Sequence, residues 1–117
     1  MNLETVAVFG GSGKVGSRII EALQAQGKSI RALIHRTPIT GEGIESIPGS
    51  VTDPEAVRQV VDSTDAVVYM ATTKEDSDTF FDVSIRGTFN VLEACQDEDI
   101  QQFVMFGGDA TQGIWFY

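Results

Sequence analysis

Apolar positions along this chain follow two alternating rhythms. Short runs rich in β-branched and aromatic residues, bounded by glycine or proline, alternate with segments whose apolar residues recur every three or four positions. Thr5–Phe9 is the first short run, too short for a helix and closed by glycine. From Val15 the apolar positions 15, 19, 20 and 23 form a helical stripe that stops at Gly27, a residue suited to end a helix. Ser29–Ile34 reads as a second strand, "RTPITGEG" as a loop, and residues 44–47 as a third strand. "VTDPEAVRQVVDS" opens a helix: Thr52 or Asp53 caps it, Pro54 fits its first turn, and Glu55 can close a capping box with Thr52. Residues 66–70 form a buried strand. Phe81, Ile85, Thr88, Leu92 and Cys95 step by four and three, predicting one buried face of a long helix over 78–96. Residues 102–106 make the last strand, again followed by two glycines.

The predicted order β-α-β-β-α-β-α-β contains no internal repeat or linker, and residues 1–117 read as one domain. Strands that alternate with helices imply a mainly parallel sheet covered on both faces. Right-handed crossovers then give a doubly wound α/β sheet of Rossmann type, order 3-2-1-4-5, with the fold cut off after strand 5. Ligands of such sheets bind beyond the carboxyl ends of the strands, near the switch between strands 1 and 4. Residues 10–16, 71–74 and 107–108 all fall at that edge.

The loop "GGSGKVG" places four glycines in seven positions, each costing up to about 1 kcal/mol of backbone entropy. Gly11, Gly13 and Gly16 make G-x-G-x-x-G, while Gly10, Gly13 and Gly16 make G-x-x-G-x-x-G. Between a strand and a helix, such glycines allow a sharp turn, let a pyrophosphate approach the backbone, and let the helix pack close to the strand. The helix N-terminus adds unpaired N–H groups and partial positive charge. A nucleoside-triphosphate P-loop does not fit, because Lys14 is followed by Val15 rather than Ser or Thr.

Charge sharpens this reading. The net charge of −9 argues against nucleic acid or an anionic membrane surface as partner. Residues 1–36 nevertheless carry a local +3, from Lys14, Arg18, Lys28, Arg31 and Arg36 against Glu4 and Glu21, while residues 37–117 carry −12. A small anion is therefore drawn to the N-terminal third. No apolar run reaches the roughly 18 residues of a membrane span, and no signal segment opens the chain. The single cysteine, Cys95, fits core packing and a reducing cytoplasm. One histidine and one cysteine cannot build a usual metal site. The "KEDSD" cluster reads as a solvated loop.

Over essentially its whole length the chain resembles the N-terminal part of the extended short-chain dehydrogenase/reductases, the NAD-dependent epimerase/dehydratase family. "GGSGKVGS" resembles that family's first loop, "GSVTDPEAV" its G-D-x-x-D segment after strand 3, and "DAVVYMATTK" its fourth strand. "FFDVSIRGTFNVLEAC" is similar to the helix carrying its N-x-x-G-T pattern, and "FVMFGGDATQG" to its fifth strand. The resemblance implies NAD(P) binding along Gly10, Gly11, Ser12, Gly13, Lys14, Val15 and Gly16, with Ser50, Val51, Ala71, Thr72 and Lys74 also on the dinucleotide.

Three departures from the family pattern carry further expectations. The acid that usually ends strand 2 and binds the ribose is absent, and Ile34 is followed by His35 and Arg36. This basic ending resembles the NADP-using and NmrA-like branches; Arg36, helped by His35, suits a 2′-phosphate, so NADP is favoured over NAD. The usual adenine-contacting Asp is Ser50, which leaves a hydroxyl and backbone groups for that contact. The family's proton chemistry needs a Ser or Thr after strand 5, an assisting Asn and a Tyr-x-x-x-Lys pair. Here the first two positions hold Gly108 and Ser84, the pair falls some two dozen residues past Gly108, and Tyr117 is not its equivalent. The expected function is the NAD(P)-binding domain of an epimerase/dehydratase-type oxidoreductase, inactive as this 117-residue chain. The alternative is a non-catalytic NAD(P)-sensing or protein-interaction module of NmrA-like type. Strand 5 is expected as an exposed edge and "GIWFY" as an apolar end without a neighbour, which together predict a homo-oligomer.

Overall fold

A computed structural model describes residues 4–10, 14–34, 39–70, 86–96, 98–106 and 114–116. Its elements are β1 (Thr5–Phe9), α1 (Lys14–Ala25), β2 (Ser29–Ile34), β3 (Ile44–Pro48), α2 (Pro54–Val61), β4 (Ala66–Tyr69), α3 (Gly87–Gln96), β5 (Gln102–Phe106) and β6 (Ile114–Phe116). Strands β1 to β5 are all parallel and stand in the expected order 3-2-1-4-5.

The alternation of side chains along each strand feeds two cores, one per face of the sheet. On one face Ala7, Phe9, Val67 and Tyr69 pack with Val57, Val60 and Val61 of α2 and Val91 and Ala94 of α3. On the other, Val6, Val8, Ile30, Ala32 and Val68 pack with Ile20 of α1. Strands buried on both faces read as unbroken apolar runs, which is why β1 and β4 were legible as strands.

Local chemistry sets the helix ends. Gly27 turns left-handed (φ +76°) after α1, with its N–H donating to Gln24 O at 2.9 Å and Lys28 N–H to Leu23 O at 3.0 Å. Asp53, not Thr52, caps α2, its Oδ1 accepting from the Glu55 N–H at 3.1 Å. The expected box with Thr52 gives way because the Thr52 N–H is taken by Ser50 Oγ at 3.2 Å. Glu55 instead lies 3.7 Å from Arg58. At the amino-terminal edge, Asp65 Oδ2 accepts from the N–H groups of Glu4 and Thr5, at 3.1 and 3.0 Å, fastening the start of β1 to the turn before β4.

Two expectations are corrected. Strand β5 is not an edge, because β6 pairs with it antiparallel, Met105 opposite Trp115, and makes a sixth strand. The "IWF" segment thereby satisfies backbone groups that an exposed β5 would present to solvent. The buried face of α3 is also turned by one position. Gly87, Val91 and Ala94 are buried, while Leu92 is 43% exposed and Phe89 66%. Residues 87, 91 and 94 keep the same four-and-three spacing, but with smaller side chains, which pack α3 against α2 and bring Gly87 up to Tyr69 Oη and Val51. Cys95 is half-buried against this core, as its stripe position suggested. Phe81 and Ile85 lie outside the described residues.

Candidate functional site at the carboxyl ends of the strands

The switch point falls between β1 and β4, which leave the sheet side by side: the Met70 N–H donates to Phe9 O at 2.7 Å. Gly10 follows directly with φ +88°, a conformation that side-chain-bearing residues rarely adopt. Helix α1 begins four residues later, and Gly16 in its first turn is buried. No acidic residue stands in that first turn, so no carboxylate of the helix itself opposes an anion at its N-terminus. A left-handed glycine, a buried helix glycine and an acid-free helix start are what a pyrophosphate needs at this place.

The second wall is the 49–53 loop after β3. Gly49 has φ +154°, and a Cβ there would lie 2.6 Å from the Cβ of Ala56, so only glycine lets the loop pass over the start of α2. Its N–H donates to Ile34 O at 2.9 Å, tying the loop to the end of β2. Ser50 Oγ lies 2.8 Å from Thr52 Oγ1, and the Asp53 N–H donates to Ser50 O at 2.9 Å. Val51 is buried, and its carbonyl accepts from Asn90 Nδ2 at 3.0 Å. The G-T pair of α3 acquires a physical reason here. A Cβ on Gly87 would meet Tyr69 Oη and Val51 Cγ1, both at 2.7 Å. Thr88 hydrogen-bonds the Tyr69 hydroxyl; burial nevertheless raises that phenol's pKa, the Thr88 bond partly opposing it.

Of the residues expected on a dinucleotide, the structure brings Gly10, the first turn of α1 with Lys14, Val15 and Gly16, and the Ser50–Val51 loop to this one edge. Gly11, Ser12, Gly13, His35, Arg36, Ala71, Thr72 and Lys74 lie outside the described residues, as do Ser84, Gly107 and Gly108. Arg31, counted among the cations drawing an anion, is engaged elsewhere. Its Nε donates to Val60 O at 3.2 Å, its Nη2 to Gln59 O, and its Nη1 to Glu45 at 2.7 Å. Asn90 was missed by sequence reasoning, since a partner 39 positions away leaves no local trace. Among the described residues no cluster of three or more His, Cys, Asp or Glu could hold a metal ion, and no helix is long and apolar enough to cross a membrane.

Comparison with known proteins agrees with this geometry. The chain is 33% identical over 102 residues to an L-arabinose 1-dehydrogenase (NAD(P)(+)) of Haloferax volcanii, covering 85% of this chain and 39% of that protein. A short-chain dehydrogenase/reductase superfamily protein from Agrobacterium tumefaciens, solved with bound NAD, superposes with a TM-score of 0.77 at 27% identity. The match covers 87% of this chain and 32% of that one. The Thermus thermophilus UDP-glucose 4-epimerase in complex with NAD superposes with a TM-score of 0.69 at 28% identity, over 80% of this chain and 34% of the epimerase. The chain thus spans between 32% and 39% of the length of these relatives. The profile of the family described as NAD(P)H-binding matches residues 10–112. The chain belongs to that NAD(P)H-binding family, as a Rossmann domain related to the epimerase/dehydratase-type short-chain oxidoreductases.

Proposed function

We propose that this chain is the cofactor-holding part of an epimerase/dehydratase-type oxidoreductase, and that it prefers a dinucleotide carrying a 2′-phosphate. The observation that carries the first half is the β1–Gly10–α1 turn, left-handed at Gly10 and free of acid in the first turn of the helix. The second half rests on the sequence after β2, where Ile34 is followed by His35 and Arg36 instead of a carboxylate. An arginine fork favours a phosphate dianion, whereas an acid at this place would repel it. Titration of NADPH against NADH tests the preference directly. Arg36→Asp should cost NADPH about 1.5–3 kcal/mol, the scale of a charge-assisted hydrogen bond, and NADH much less. Equal losses for both would refute the assignment of Arg36.

A second reading, a non-catalytic module that senses NAD(P) or binds a partner, is favoured by Gly108 and Ser84 at the positions where the family's hydroxyl and amide assist catalysis. Incubation with NADPH and a panel of nucleotide sugars and small carbonyl compounds separates the two. With Gly108 and Ser84 at those positions, part of the about 10²- to 10⁴-fold that positioned acid–base groups contribute is missing, and the second reading expects no turnover. Cofactor oxidation that scales with protein and disappears in Gly13→Asp would refute that expectation.

A reducing compartment, the cytoplasm, suits the single thiol. Self-association is supported by the outward face of α3, where Phe89 and Leu92 are exposed. Sedimentation at tens of micromolar tests it, since subunit association depends on concentration. A monomer there refutes it.

A further inference from the structure

Helix α3 reaches the loop after β3 through the side chain of Asn90. Asn90 lies 39 positions from the loop in sequence, yet its Nδ2 donates to the Val51 carbonyl at 3.0 Å. The peptide unit is planar, so holding Val51 O also sets the direction of the Thr52 N–H in the same plane. That N–H donates to Ser50 Oγ at 3.2 Å, and Ser50 Oγ is in turn 2.8 Å from Thr52 Oγ1. The hydroxyl pair has two O–H donors and uses one of them internally, whichever residue supplies it. One O–H therefore remains for a ligand, and its direction depends on the peptide plane that Asn90 holds.

The position of this pair says what it meets. A glycine loop after the first strand takes the pyrophosphate, and the residue at the end of the second strand takes the adenosine ribose. The base of that nucleotide then lies beyond β2, toward the end of β3. The 49–53 loop stands there, fastened to Ile34 O by the Gly49 N–H at 2.9 Å. We propose that Asn90 is a positioning residue for dinucleotide binding: through Val51 it orients the Ser50–Thr52 hydroxyl pair, which donates to a ring nitrogen of the adenine.

This inference rests on the dinucleotide reading above and refines its adenosine half. The test is a double-mutant cycle on NADPH affinity, measured by fluorescence titration, with Asn90→Asp, Ser50→Ala and the double variant. Asp is nearly isosteric with Asn, but its carboxylate cannot donate to Val51 O. Each single variant should weaken binding about threefold to tenfold, the worth of one hydrogen bond. The double variant should be no weaker than either single, because both act on the same contact. Circular dichroism and the melting temperature, recorded in parallel, report the folded fraction, and Asn90→Ala serves if the aspartate variant does not fold. Multiplying losses, or an Asn90 variant that melts lower yet binds NADPH as the parent does, would overturn the proposal and leave Asn90 a structural residue. Failure of the parent chain to bind any dinucleotide would overturn the underlying reading, and this one with it.

Discussion

Replacing Gly87 by alanine tests whether α3 lies as close to the site as the structure places it. An ideal Cβ there would stand 2.7 Å from Tyr69 Oη, 2.7 Å from Val51 Cγ1 and 3.1 Å from Val51 Cγ2. The first two separations are ones that real Cβ atoms essentially never show, so helix or neighbours must shift. Neither neighbour moves freely. Tyr69 is 1% exposed, with its ring centroid 6.0 Å from that of Phe9, and Val51 is held through its carbonyl by Asn90. Overpacking of this kind costs about 1–3 kcal/mol. Loss of the Tyr69–Thr88 hydrogen bond would add about 0.5–1.5 kcal/mol. Against this, alanine in a helix gains at most about 1 kcal/mol over glycine. The balance is a loss of about 0.5–3.5 kcal/mol, and each kcal/mol lowers the melting temperature of a domain this size by about 4 °C. Urea unfolding followed by circular dichroism reads the loss as a lower midpoint at unchanged slope. In a Val51→Ala background both Cγ contacts are gone, so the added cost of Gly87→Ala should shrink to the part that the Tyr69 hydroxyl imposes. A Gly87→Ala variant as stable as the parent, or an equal loss in both backgrounds, would refute the close packing.

Three further outcomes follow from contacts elsewhere. Arg31→Met keeps the aliphatic stem but removes the donors to Gln59 O and Val60 O at the end of α2, and should lose about 1–2 kcal/mol in urea melts. Glu45→Gln should lose less than about 0.5 kcal/mol, because that end of the ion pair is 63% exposed, and equal losses would contradict this division. Asp65→Ala should cost about 1–3 kcal/mol by leaving the Glu4 and Thr5 N–H groups without their carboxylate, and unchanged amide-exchange protection across β1 would argue against it. The Cys95 thiol is pushed up to about 11, first by burial and then by the negative charge of Glu98. Its raised pKa favours the folded state fully below pH 9 and loses that contribution as pH rises toward 11. Stability should therefore fall across this window more steeply in the parent than in Cys95→Ala, and parallel pH curves would count against the buried neutral thiol.

What could be read from the sequence was whatever local chemistry determines. Strands β1 and β4 were legible because a parallel sheet buries both faces and leaves an unbroken apolar run. The α1 stop at Gly27 and the Pro54 turn of α2 are decided within four residues of chain, and so were legible too. The face of α3 was not, since a hydropathy count weighs Leu92 and Phe89 above Gly87 and Ala94. Close packing of α3 on its neighbours is made by small residues, and hydrophobicity scarcely registers them. A glycine within a helix, where it costs about 1 kcal/mol against alanine, was the available signal that something presses on that position.

The same distinction runs through the candidate site. The half proposed to hold the pyrophosphate is a local motif: Gly10 turns left-handed, α1 starts four residues later, and the glycine spacing marks it. Its other half is assembled from residues that are neighbours only once the sheet exists. The Val51 carbonyl meets Asn90 across 39 positions, and the Cγ atoms of Val51 occupy the space that Gly87 leaves open. A hydroxyl pair replacing a carboxylate also needs more support than the carboxylate does. An ionised acid accepts from any direction through two oxygens, whereas a hydroxyl donates along one bond that must be aimed. Under the adenine proposal, Ser50 in place of an acid moves the burden of specificity from a charge to an orientation. In that proposal the orientation is held through the Val51 carbonyl by Asn90 of α3. A sequence shows a changed charge at once, and shows the device that compensates for it only when the fold brings the two together.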